Sequence, residues 1–153
     1  MDAKTLLEMW DGNRKAFRQV VAGIPKGKEN FEPGPGSMSL AALALHVVSA
    51  DKTAVDALSG KTAKWEWDTG VNPSKYATVD GILGVLDAQT EETRKFIAGL
   101  GDAGIAKTAA LPWGGSWTME RFWLEWILHE THHRGNLITG LRAAGVTPPN
   151  IWG

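Results

Sequence analysis

Phe122-Trp123-Leu124-Glu125-Trp126-Ile127-Leu128-His129-Glu130-Thr131-His132-His133-Arg134-Gly135-Asn136-Leu137 repeats its bulky and histidine side chains at three- and four-residue intervals. On a helix, residues at that spacing share one side, so Phe122, Trp126, His129, His133, Leu137 and Gly140 form one inward stripe. Thr118 is a suitable N-cap, and Glu120 places a negative charge in the first turn, where the helix dipole favours one. The helix runs to about Ala144; Gly145 ends it and Pro148-Pro149 prevents its resumption.

Outward from this segment, three more helices are expected. Leu6, Trp10, Phe17 and Val20/Val21, with Asn13 completing the series, predict a helix from Ala3 to about Ala22 that Gly23-Ile24-Pro25 stops. A second helix is expected from a cap near Ser37 to about Leu58, with Leu43, His46, Val47, Ala50, Ala54 and Ala57 on one broad face. A third starts at the cap Thr78 and continues to about Leu100 along Ile82, Val85/Leu86, Thr93 and Phe96/Ile97. The stretch 61–77, with Trp65 and Trp67, reads as a long loop suited to covering a site. The stretch 101–117, with Pro112, Gly114 and Gly115, reads as an irregular link. Helices of roughly twenty residues are about 30 Å long, enough for one bundle.

Composition agrees with a single domain over residues 1–153, for a chain of this length can bury its apolar surface around one core. Sixteen basic and seventeen acidic residues give a formal charge of -1, which offers no field for nucleic acid or an anionic membrane. The longest apolar run, Leu40 to Ala50, is too short to span a bilayer and contains His46. The first residues lack a signal-peptide pattern, so the cytoplasm is the expected location. With no Cys, disulfides, a catalytic thiolate and Cys-ligated metals are excluded.

His129 and His133, four residues apart, can meet one metal ion from one helix face. The competing reading leaves both rings in or at the rim of the core, hydrogen-bonded to backbone or to Glu130 and Asn136. His46 favours the metal: it falls on the inward stripe of another helix, where an imidazole needs a partner. Three neutral imidazoles would leave positions open for water or substrate, as in catalytic sites. His132 could reach a metal as an i,i+3 pair with His129, but His133 is preferred because it lines up with Trp126 whereas His132 turns toward the flank. Zinc, nickel, iron and manganese all suit imidazole, zinc and nickel foremost. With ordinary His pKa values near 6.5, metal affinity should fall below about pH 6.

Leu45-His46-Val47-Val48-Ser49-Ala50-Asp51 and the run His129 to Leu137 resemble the DinB family, which includes the YfiT-like metal-dependent proteins. The resemblance covers the whole chain in helix order. It implies an all-α, up-down-down-up four-helix bundle, a homodimer, and a divalent metal on His46, His129 and His133. Asn136 stands where members often have Gln, and either amide can orient a ligand or a water. Characterised members include transferases and isomerases that use a small thiol.

No catalytic residue is assigned. Trp126 is a candidate pocket wall, and Trp113 and Trp117, beside Gly114-Gly115-Ser116, candidate entrance residues; core and loop packing are the alternatives. Asp51 and Glu130 are expected to turn away from the metal, with Glu130 in an exposed pair with Arg134. The expected function is that of a metal-dependent enzyme acting on a small molecule, first as a thiol-dependent S-transferase. The alternatives are a metal-dependent hydrolase and a non-catalytic dimeric ligand-binding or stress-response protein with a structural metal.

Overall fold

Each helix begins where a side chain caps it. In the computed structural model, which describes residues 1–65 and 76–152, Asp2 accepts from the Thr5 amide at 2.7 Å and opens α1, Ala3–Ala22. Ser39, rather than Ser37, accepts from the Ala42 amide at 3.1 Å and opens α2, Leu40–Leu58. Thr78 opens α3, Val79–Ile105, and Thr118 opens α4, Met119–Ala143. The φ of 58° at Gly101 breaks α3 one residue beyond the expected end at Leu100, and a final turn follows to Ile105. Between α3 and α4, where an irregular link was expected, Thr108–Ala110 (β1) and Ser116–Thr118 (β2) form an antiparallel hairpin. Gly114 and Gly115 turn it at φ 97° and 80°, values that side chains with a Cβ adopt only under strain.

The core falls into two clusters whose membership gives the direction of every helix. The starts of α1 and α4 (Leu6, Trp10; Phe122, Trp123, Trp126) share one cluster with the ends of α2 and α3 (Ala54, Val55; Ile97). The ends of α1 and α4 (Phe17, Val20; Leu137, Leu141) share the other with the starts of α2 and α3 (Leu40, Leu43; Ile82, Leu86). The order is therefore up-down-down-up, with α1 and α2 each packed against both α3 and α4. Of the 61–77 stretch expected to cover the site, residues 66–75 lie outside the described part.

Between the clusters every helix contributes buried polar side chains: Arg14 from α1, Ser49 and Asp51 from α2, Gln89, Thr90 and Thr93 from α3, and Glu130 from α4. Arg14, not Asn13, fills the inward position between Trp10 and Phe17. Such a layer interrupts a hydrophobic core only where its groups satisfy one another, and the candidate site stands against it.

Candidate metal centre

His46 on α2 and His129 and His133 on α4 converge. Their ring centroids are 5.5 Å apart for His46–His129, 4.8 Å for His46–His133 and 4.4 Å for His129–His133. One ring nitrogen from each lies within 4.8 Å of the others, and Nε2 of His129 and Nε2 of His133 are 3.0 Å apart. Ligand nitrogens about 2.1 Å from a shared ion would be separated by roughly 3.0–3.4 Å, so the α4 pair already has that spacing. Nδ1 of His133 is buried without a hydrogen-bond partner among the described residues. All three rings are half-buried. His132, next in the chain, is exposed and pairs with Asn136 at 3.1 Å, outside the convergent group.

Burial pushes the pKa of His129 and of His133 down to about 4, and the neighbouring histidines add to the effect because a second imidazolium would repel the first. Both rings are thus neutral, the form that can ligate a metal, well into the acid range. The expected loss of metal from about pH 6 assumed ordinary histidines; for this pair, desolvation moves proton competition to lower pH.

Behind the triad lies a charged cluster absent from the sequence reading. Arg14 Nη2 contacts Asp51 Oδ2 and Glu130 Oε2, each at 2.5 Å, and Arg14 is 2% exposed. Asn13 Nδ2 donates to Glu130 Oε1 at 3.0 Å, and the Thr93 hydroxyl donates to Asp51 Oδ2 at 3.4 Å. The exposed Glu130–Arg134 pair therefore does not form: Glu130 is buried toward α1, and Arg134 donates instead to Asn13 Oδ1 at 2.6 Å. Burial raises the Asp51 carboxyl, with Arg14 opposing. It likewise lifts Glu130 to about 7, opposed by Arg14 and assisted by the Asp51 charge. One guanidinium cannot neutralise two buried carboxylates, which favours the protonated form of one of them. Neither carboxylate joins the nitrogens of the triad. A clue was available, since Arg14 stands in phase with Trp10 and Phe17 and Asp51 interrupts an apolar helix, but residue type argues for exposure at both positions.

The aromatic candidates separate by distance. Trp126 is buried, stacks on Phe122 at 4.5 Å and lies 5.5 Å from the His129 ring. Trp113, 53% exposed, and Trp117 pack edge to face at 5.7 Å on the hairpin. They connect to Trp126 through Trp65, which is 6.4 Å from Trp113 and 5.8 Å from Phe122. Asn136 is exposed and shares a cleft with His133.

Comparison with known proteins gives these features a lineage. No curated protein sequence matches the chain. Among solved structures, a DinB-like protein of Bacillus cereus is similar at 18% identity and a TM-score of 0.81, over 99% of this chain and 98% of that one. A DinB-like protein of Bacillus subtilis has 18% identity and a TM-score of 0.75, over 96% and 97%. YfiT of Bacillus subtilis, described as a probable metal-dependent hydrolase with an unusual four-helix bundle topology, has 14% identity and a TM-score of 0.75, over 94% and 87%. At these identities the likeness concerns the fold. The model of the DinB family matches residues 1–152, and the chain belongs to that family.

Proposed function

We propose that His46, His129 and His133 hold one divalent transition-metal ion, zinc or nickel foremost and iron or manganese as further candidates, and that the protein is a metal-dependent hydrolase. The observation that carries this reading is the convergence of three imidazole nitrogens within 4.8 Å, two of them on rings whose pKa is pushed down to about 4. The donor set fits the ion: three imidazole nitrogens, with no carboxylate among them. A divalent ion held by these three residues would supply Lewis acidity and lower the pKa of a water or thiol bound beside them.

The chain's own residues prepare the position. His129 and His133 stay unprotonated because burial disfavours their charged forms, and the Trp126 ring shields one side of His129. Arg14, Asp51 and Glu130 brace α1, α2 and α4 directly behind the triad. Hydrolysis is placed ahead of S-transfer because the structurally similar YfiT is described as a probable metal-dependent hydrolase. S-transfer would use the same ion and a small thiol in place of water. A small-molecule substrate, a homodimer and a cytoplasmic setting complete the proposal; no helix among the described residues is long and apolar enough to cross a membrane.

Elemental analysis of the purified protein should find close to one transition-metal ion per chain, and ester hydrolysis should be lost on chelation and restored by zinc or nickel. A rate that appears only with added thiol would replace hydrolysis by S-transfer. Protein without metal that binds neither zinc, nickel nor manganese in calorimetry would overturn the proposal.

A further inference from the structure

A cleft of about 400 Å³ lies beside the triad, between the connection that precedes α2 and the second half of α4. Pro33, Met38 and Leu43 form its apolar wall, and Ser37, Asn136 and Thr139 line it with hydrogen-bonding groups. His133 brings one edge of the triad into it. Gly140 sets how closely the connection approaches α4: a Cβ there would stand 2.7 Å from Leu40 Cδ2 and 3.1 Å from Pro33 Cγ. The volume suits a small molecule. Among the described residues no Lys, Arg, Asp or Glu lines the cleft. This is unusual on a surface otherwise laced with ion pairs, such as Arg18–Asp87 and Arg94–Asp11.

We propose that this cleft seats the substrate of the triad, and that the substrate is an uncharged small molecule pairing an apolar group with hydrogen-bonding oxygens. The inference rests on the metal-dependent reading above. Apart from the ion that the triad would hold at the His133 edge, the lining offers a carboxylate or phosphate placed against Pro33, Met38 and Leu43 no cationic side chain in exchange for its hydration, whereas an ester carbonyl needs only that ion and the neutral donors present. For an ester, the oxygen of water bonds to the acyl carbon and the acyl C–O bond breaks. One water proton goes to the departing alkoxide and the other is released as the product acid ionises.

Two probes that differ by one charge test this. Acetanilide and 4-acetamidobenzoate are titrated into ¹⁵N-labelled protein, both with zinc and with chelator, and phenyl acetate and 4-acetoxybenzoate serve as the corresponding esters. Acetanilide should shift the amide signals of Met38, Asn136 and Thr139, and the anion should bind at least roughly tenfold more weakly, a difference of about 1.4 kcal/mol. Hydrolysis by the zinc-loaded protein should follow the same order. Met38 is 45% exposed at the rim, so Met38→Arg can bring a cation to the cleft without opening the core, and it should reverse the preference in both binding and kcat/KM. Equal binding of the two probes, shifts confined to other surfaces, or an unchanged ratio in Met38→Arg would overturn the inference while leaving the metal site intact. Failure of zinc to bind, with acetanilide still seated in the cleft, would instead overturn the metal-dependent reading and with it the role of the bound molecule as substrate.

Discussion

His132 and His133 are adjacent in sequence, yet about 100° of helical rotation sends the first to solvent and the second into the triad. Replacing His46, His129 or His133 with Ala should therefore lower bound metal well below one ion per chain, whereas His132→Ala should leave it near one. Elemental analysis of the four variants checks this, and loss of metal in His132→Ala alone would reverse the assignment. The pKa shifts give a second expectation. Well above pH 4 the α4 pair is neutral and a metal would displace no proton from it; as pH falls through about 4 each ring gains a proton that a metal would have to remove. Chelator competition should find little weakening due to this pair between pH 7 and 5, and a steep fall beneath about pH 4. The same shift acts on the metal-free fold. Unfolded histidines protonate below about 6.5 while these two do not, so their contribution to stability declines as pH falls from 6.5 toward 4. Arg14 presents the opposite case of a charge that must remain. Arg14→Met strands Asp51 and Glu130 without their cation and should cost about 3–5 kcal/mol in urea unfolding. Adding Asp51→Asn and Glu130→Gln should recover much of that loss.

Along α4, one residue type has opposite consequences at two positions. Gly135 is exposed and a Cβ there would meet nothing within 4 Å, so Gly135→Ala should stabilise the helix by up to about 1 kcal/mol. At Gly140 the same methyl would press on buried Leu40 and on the ring of Pro33, and the overpacking, about 1–3 kcal/mol, should outweigh the gain in propensity. Thermal denaturation of the two variants should thus shift Tm in opposite directions; a rise in both would mean that the connection before α2 yields freely. The caps at Thr78 and Thr118 were legible because capping depends on local residue type. The hairpin at 108–118 was not, since its strands of three residues are too short to show an alternating pattern.

For the whole molecule, a metal held by His46 of α2 and His129 and His133 of α4 would tie the two helices, so metal binding should stabilise the fold. At a free ion concentration a hundredfold above Kd the gain is about 2.7 kcal/mol, which for a chain of this size raises Tm by roughly 5–10 °C. A chelator should remove that increment, and calorimetry with and without zinc measures it. Light scattering tests the proposed homodimer, which should show twice the 16.5 kDa chain mass. The helices, their caps at Thr78 and Thr118, and the inward phase of His46, His129 and His133 follow from sequence, because periodicity and capping involve residues at most a few positions apart. Tertiary structure decided what depends on elements distant in the chain. The meeting of His46 with the α4 pair spans more than eighty residues, and its close geometry exists only once α2 and α4 pack side by side. Burial of Arg14, Asp51 and Glu130 was likewise hidden, because a charged side chain reads as exposed until its partners on other helices are known. The neutral cleft beside His133 belongs to the same class: its walls come from the 33–43 and 133–140 regions, and no local pattern records that two such stretches will face each other.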